Sequence, residues 1–369
     1  MPTTSSEKIY SIALTLLKNV GSITAKKLIA HVGSAENVFN TSAKKLHQIT
    51  GVGPYLIKEL QNKQYLIEAE KIFSQCEKNQ VAISLFQDET FPKRLNHLYD
   101  APLLLFVKGN GNLNHNRLLS VVGTRKATDY GKQVCEQLAY ESRHSGVHFI
   151  SGLAYGIDAA IHQACLDQQV PNFAVMASGF DYIYPYQHKK MAGLMLEQGA
   201  WISEHPPHVK PDPRYFPMRN RIIAGMSDAL IVVEAAKTGG ALITAEFANN
   251  YHREVFAVPG MIQKPYSLGC NELILDNKAV LYTSFEQVIS HLQWKNAENG
   301  IQKRLDLDFS RFSQNESAIL SALHQLGDLS MEELAWKTGI TLKEIALITI
   351  NLEFSGMIKA TAGNRYRLH

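Results

Sequence analysis

An α/β fold built on a doubly wound parallel sheet is what the sequence predicts, and three observations carry that prediction. Between residues 81 and 294, short apolar runs alternate with helical patterns, the grammar of strand, crossover helix and next parallel strand. Several of the runs are apolar at nearly every position, as central strands covered on both faces must be. Glycine-containing turns follow four of them and open a helix, which is where Rossmann-like sheets place their ligand loops. Residues 1–80 and 313–369 lack the alternation. They read as an N-terminal helical module and a C-terminal winged helix flanking an extended Rossmann-like sheet.

In the helical module, Ile9–Leu17 is apolar-periodic, Asn19-Val20-Gly21-Ser22-Ile23 interrupts it, and Ala25–His31 resumes. Ile49-Thr50-Gly51-Val52-Gly53-Pro54 repeats the interruption ahead of Tyr55–Leu60. Helix, glycine hairpin, helix is the helix-hairpin-helix (SAM-like) pattern, in which glycine lets backbone N–H groups approach a phosphate. Lys58 and Lys63 lie close to the second copy. A plain helical turn that needs glycine for its left-handed angle fits the same residues equally well.

Within the sheet segment, strands are expected at Leu103–Val107, Leu118–Val122, Val147–Ile150, Asn172–Met176, Ala200–Ser203, Ala229–Val233, Glu254–Val258 and Ala279–Tyr282. Helices are expected between them, among others at Ile157–Leu166, Phe216–Met226, Ala241–Tyr251 and Phe285–Trp294. Residues 295–312 are polar with weak periodicity and read as a linker. Beyond it come helices at Asn315–Leu326, Ser330–Thr338 (opened by a Ser330/Glu333 capping box) and Leu342–Phe354. A hairpin of Met357–Ile358 with Tyr366–Leu368 around Gly363-Asn364 completes the winged helix.

Composition narrows the function. The net charge of +3 excludes a generally basic, histone-like surface. It divides as 10 Lys+Arg against 6 Asp+Glu in residues 1–80, 21 against 22 in 81–309, and 6 against 6 in 310–369. An anionic partner must therefore meet local clusters. The tail is poorly suited to duplex DNA, because Lys343 faces Glu344 and Glu353 on its third helix. Four widely spaced cysteines argue against a disulfide framework or thiolate zinc site and suit a reducing cytoplasm. Neither a signal peptide nor an apolar run of the ~20 residues that span a bilayer is evident.

The chemistry sits in the turns. Gly123-Thr124-Arg125, Ser151-Gly152-Leu153-Ala154-Tyr155-Gly156, Ser178-Gly179 and Lys237-Thr238-Gly239-Gly240 all fall at the carboxyl edge of the expected sheet. Glycine there removes the Cβ that would keep a phosphate from backbone N–H groups, and each helix start adds partial positive charge. Neither GxGxxG after the first strand nor GxxxxGK[ST] occurs, so dinucleotide binding and triphosphate hydrolysis lose support. Arg125, Lys126 and Lys237, with Arg219, Asn220 and Arg221 at a helix start, supply donors suited to phosphate oxygens. The same arginines are also suited to stitching loops through backbone carbonyls. Tyr155, Phe180, Tyr182, Tyr184, Tyr186, Tyr215 and Phe216 interleave with them, and exposed aromatic faces stack bases without regard to sequence. The histidines show no HExxH or i, i+4 spacing, so no metal is expected. Glu234, Glu246 and Asp158 lie near the expected crevice without a recognisable acid/base setting.

The strings VVGTRKATDYG, SGLAYGIDAAIH, SGFDYIYP, ISEHPP, FPMRNRIIAGMSDALIVVEAAKTGGALITAEFA, REVFAVPG and GCNELI, in that order, closely resemble the DNA processing protein A (DprA/Smf) family. The resemblance implies a non-catalytic protein that binds single-stranded DNA, forms a homodimer and helps load RecA recombinase in natural transformation. It implies that Gly123, Arg125, Ser151, Gly152, Gly156, Arg219, Asn220, Arg221 and Lys237 to Gly240 line the DNA pocket. Ala177, where a glycine is usual, and the Lys237-Thr238-Gly239-Gly240 turn depart from the family pattern and bear on local loop shape. A second resemblance, of TGGALITAE to the PGGxGTxxE motif, points instead to a nucleotide phosphoribohydrolase with Gly239, Gly240 and Glu246 at its site.

Overall fold

The computed structural model describes residues 4–49, 51–294, 309, 311–361 and 365–368, which form two compact units, Met1–Leu292 and Gln293–His369. The first is built on a nine-stranded sheet. Its strands are β1 (Ala82–Leu85), β2 (Leu104–Gly109), β3 (Leu118–Val122), β4 (His148–Ser151), β5 (Asn172–Met176), β6 (Ala200–Ser203), β7 (Ala229–Val232), β8 (Glu254–Ala257) and β9 (Val280–Leu281). They lie in the order β1-β2-β6-β5-β4-β3-β7-β8-β9. From β6 to β9 the pairs are all parallel, with Val121 opposite Ile231 and Ile150 opposite Phe173; β1 and β2 add an antiparallel edge. The chain leaves β3 for β4 on one side and later returns to place β7 on the other, so β3 stands at the switch point.

Burial on both faces explains why the strands are apolar at consecutive positions. Phe173 and Val175 join a core with the helices Tyr215–Met226 and Gly240–Asn250, whereas Ala174 and Met176 join a second core with Trp201, Ala192 and Met195. Every expected strand forms within a residue or two. The strand β1 was not among them, because its four residues stand at the sheet edge and lack a long apolar run.

The helices of the first eighty residues, expected as a module of their own, pack onto this sheet. Ile12 and Ala13 of the helix Ser5–Leu16 share a core with Phe106 and Ile83, while Leu14 and Leu17 face Leu28, Val38 and Leu56. Gly21 stands at the start of Ser22–Val32 and Gly53 at the start of Pro54–Leu60, which has proline in its first turn. Thr50 of the second hairpin lies outside the described residues. A 15-residue helix, Gln64–Lys78, follows, longer than the short helices expected here.

The second unit has helices Gln314–Leu326, Met331–Thr338 and Leu342–Phe354 and a three-stranded sheet of β10 (Leu329–Ser330), β11 (Ile358–Thr361) and β12 (Arg365–Leu368), ordered β10-β12-β11. The Ser330/Glu333 capping box is formed, and Ser313/Glu316 and Thr341/Glu344 repeat it at the other two helices. Most of the expected linker and the Gly363-Asn364 turn lie outside the described residues. No helix among the described residues is long and apolar enough to cross a membrane.

Two histidines, His162 buried and His148 half-buried, give the sheet unit an acid limit. His162 Nδ1 lies 2.8 Å from Asn172 Oδ1, and its Nε2 has no partner among the described residues. His148 stacks on His115 with ring centroids 3.7 Å apart. Burial pulls both rings down from 6.5 to about 4, and His115 adds to the effect at His148. The unfolded chain takes up these protons near pH 6.5 while the folded chain refuses them until about 4. The stability these two rings contribute is therefore fully present above pH 6.5 and is lost between there and 4, at up to about 1.4 kcal/mol per pH unit for His162 and less for the half-buried His148, which solvent screens. Urea unfolding between pH 4.5 and 7 should show His148→Phe with a visibly shallower loss than the parent; equal slopes would contradict this account.

Candidate functional site

The loops after β3, β4 and β7 enclose a crevice of about 750 Å³ at the carboxyl edge of the sheet. Gly123, Arg125, Lys126, Arg219, Asn220, Thr238, Gly239 and Gly240 all line it, so three separate stretches of sequence meet at one place. Arg125 and Lys126 are exposed, and neither is paired with a carboxylate among the described residues. The Arg125 guanidinium lies 5.5 Å from the Phe216 ring centre, and Tyr184 packs edge-on against the same ring at 5.6 Å. Across the crevice, the helix Gly240–Asn250 begins at Gly239 with no side-chain cap, leaving the positive end of its dipole bare.

Buried carboxylates hold the loops in shape. Glu234, at the end of β7, accepts from the backbone N–H and hydroxyl of Thr128 at 2.9 and 2.6 Å, and its carbonyl accepts from Thr124 N–H at 2.7 Å. A Cβ on Gly131 would collide with that carboxylate. Asp158 accepts from the N–H groups of Gly152 and Ala154, and burial pushes its carboxyl above the usual range, with Arg219 pulling the other way. Sequence alone flagged both acids as lying near the crevice without disclosing this role. It gave no signal for Tyr266, whose carbonyl accepts from Ala235 N–H and which also lines the crevice.

Arg219 is the fifth residue of its helix rather than its start, and it is buried. Its Nη1 donates to the carbonyls of Gly152 (2.6 Å) and Val175, and its Nε to Asn220 Oδ1; Asn220 Nδ2 in turn donates to the Gly240 carbonyl at 3.2 Å. Stitching of loops through backbone carbonyls is the role its bonds fit. Burial lowers its pKa to about 10, so it stays charged near neutrality. Arg221 is absent from the crevice: two residues further along the helix, it points elsewhere and forms a 2.6 Å ion pair with Glu204, which also accepts from Ser22. It anchors the N-terminal helices to the sheet.

Several expected residues, Gly156 among them, do not line the crevice. Ser151 Oγ donates to the Val121 carbonyl, Ser178 Oγ donates to the Tyr182 carbonyl, and Gly179 is closed in by the carbonyls of Pro206 and Pro207. Gly152 lies against the Arg219 guanidinium, and Lys237 is an exposed partner of Glu272 at 3.2 Å. Glu246, needed in the crevice by the hydrolase alternative, is exposed and does not line it. Among the described residues no group of three or more His, Cys, Asp or Glu is placed to hold a metal.

Residues 82–293 match the family model for DNA recombination-mediator protein A. The chain belongs to that family. It is 40% identical to DNA processing protein DprA of Bacillus subtilis over 209 residues, 56% of this chain and 70% of that one. It is 37% identical to protein Smf of Escherichia coli over 292 residues, 76% of this chain and 75% of that one. The solved DNA processing protein A of Streptococcus pneumoniae superposes with a TM-score of 0.64 at 32% identity, covering 79% of this chain and 98% of that structure. That of Helicobacter pylori, solved to describe its single-stranded DNA binding mode, superposes at 0.53 with 27% identity, covering 58% and 97%.

Gly156 shows how tightly this family's loops are set in the present chain. Its φ is +81°, and a Cβ would press on the Thr124 carbonyl and the Arg125 backbone. Gly156→Ala should cost about 1–3 kcal/mol. Gly193→Ala, inside the helix Lys189–Met195 with open space around it, should instead stabilise by about 0.5–1 kcal/mol. Thermal denaturation of the two variants checks the contrast, and equal melting temperatures would refute it.

Proposed function

We propose that this chain binds single-stranded DNA without regard to sequence, along the crevice at the ends of β3, β4 and β7, and that it acts as a non-catalytic recombination mediator. One observation carries the reading: two exposed cations, Arg125 and Lys126, line the same crevice as a bare helix start at Gly239-Gly240, with Phe216 and Tyr184 beside them. Phosphates take the cations and the helix start, and bases turn toward aromatic faces, which stack any base. Gly123 and Gly156 let the loops close, while Arg219 and Asn220 hold them from beneath. The single-strand binding described for the Helicobacter pylori relative supports the same reading.

Around that core activity we place the family's wider role: a cytoplasmic homodimer that processes DNA in transformation and delivers it to RecA. In the tail we read the three helices with the β10–β12 sheet as a winged helix, whose third helix has Lys343 beside Glu344 and Glu353 and suits protein contact better than a phosphate backbone. The hairpins at Gly21 and Gly53 are secondary DNA contacts in this scheme, since Lys58 and Lys63 lie nearby.

Arg125→Ala should weaken oligo-dT binding about ten- to a hundredfold, the loss of a charge-assisted contact worth roughly 1.5–3 kcal/mol. Affinity of the parent should fall with salt at about −0.7 in log–log slope per phosphate neutralised. Gel shifts of parent and variant across salt concentrations read both; parent-like binding by a folded Arg125→Ala would remove the crevice from the account.

Deleting residues 310–369 should leave most of the affinity, because the crevice groups all belong to the first unit. Melting temperature comes first, then fluorescence anisotropy with oligo-dT. A folded truncation that has lost nearly all binding would move the DNA site to the tail.

A further inference from the structure

The loop after β4 already holds an anion, and that anion is its own. Gly152 N–H and Ala154 N–H both donate to Asp158 Oδ2, at 3.1 and 3.3 Å. Between them Leu153 is fully buried at φ +57°. A left-handed residue set between two N–H groups turns them to one side, making the backbone nest that elsewhere binds phosphate or carboxylate. The carboxylate comes from the second residue of the helix Ile157–Asp167, so the helix dipole favours it there. Arg219 completes the arrangement: its guanidinium bonds the Gly152 carbonyl and attracts the Asp158 charge. Asp158 and Arg219 both line the crevice. Nest and nearby guanidinium are parts of a phosphate site, and an internal carboxylate fills the nest.

We propose that Asp158 is a resident anion that determines specificity: it excludes mononucleotides and terminal phosphate groups from the β4 loop and leaves the crevice to the internal phosphodiesters of a strand. A terminal phosphate carries close to two negative charges near neutral pH and needs a full cradle of N–H donors. With the nest filled, it meets a carboxylate there instead. An internal phosphodiester carries one charge and is satisfied from one side, by Arg125, Lys126 or the start of the helix Gly240–Asn250. Glu234 repeats the device in the β3 loop, where it takes the Thr128 N–H and hydroxyl. The helices after β4 and β7 both begin at a glycine with no side-chain cap, Gly156 and Gly239, but only the β7 loop has no carboxylate drawn into its backbone N–H groups among the described residues. The inference rests on the single-strand reading above.

The full chain should be tested with three probes: inorganic phosphate, thymidine 5′-monophosphate, and oligo-dT carrying either a 5′-phosphate or a 5′-hydroxyl. For the parent, calorimetry should show no phosphate or mononucleotide binding, and the 5′-phosphate should change oligo-dT affinity less than about twofold. Asp158→Ala empties the nest and should bind inorganic phosphate about tenfold or more tightly than the parent. Asp158→Asn keeps an acceptor for the two N–H groups while removing the charge, so it folds if the alanine variant does not, and it should shift the same way by a smaller factor. A merely structural Asp158 would leave phosphate affinity unchanged in any folded variant, and that result overturns the proposal. So does a parent that already binds the mononucleotide as tightly as the variants. Failure of the parent to bind 5′-hydroxyl oligo-dT would instead overturn the single-strand reading, which the phosphate titrations do not depend on.

Discussion

The Arg219 guanidinium, buried under the carboxyl edge of the sheet, is the constraint on which the crevice depends. A buried charge is costly unless its donors are met, and here they are met by groups from separate loops. Gly152 belongs to the loop after β4, Val175 to β5, and Asn220 relays the contact to Gly240 after β7. Glu234 ties the remaining loop, after β3, to the end of β7. Positions far apart in sequence thus become one rigid surface. Removal of either charge would leave unmet polar groups in the floor of the crevice, so the loops are held by necessity more than by fit.

Rigidity of that floor lets a small number of exposed groups act on a flexible strand. Arg125 and Lys126 need not be numerous, because the sheet edge presents them beside a bare helix start and an aromatic pair. The N-terminal helices contribute by packing on the sheet: Arg221 and Glu204 tie the helix Ser22–Val32 to the edge of β6, and Ile12 enters the sheet's own core. Stability of the site and docking of those helices are therefore one problem.

Much of this was legible in the sequence, and the reason is periodicity. Strands such as Leu118–Val122 and Asn172–Met176 must be apolar on both faces, so they stand out unaided. Glycines at 123, 156 and 239 marked the loops because no other residue fits those turns or approaches. What sequence could not show was direction. Arg219 and Arg221 are two positions apart on a helix, which sends one under the crevice and the other to Glu204, yet in the string FPMRNR they look equivalent. Ser178 and Gly179 sat in a turn of the right kind, but the Pro206–Pro207 segment closes over Gly179, a contact between residues with no pattern linking them. Asp158 and Glu234 showed no acid/base or capping motif, since a carboxylate that binds the backbone of its own loop, or of a neighbouring one, is specified by geometry.

Hydrogen–deuterium exchange of the full chain with and without saturating oligo-dT tests the central claim most directly. The account predicts slowed exchange in residues 123–128 and 236–244, which border the crevice, with little change in 313–361. Protection confined to the tail, or to the helices of the first eighty residues, with the crevice loops unaltered, would contradict it.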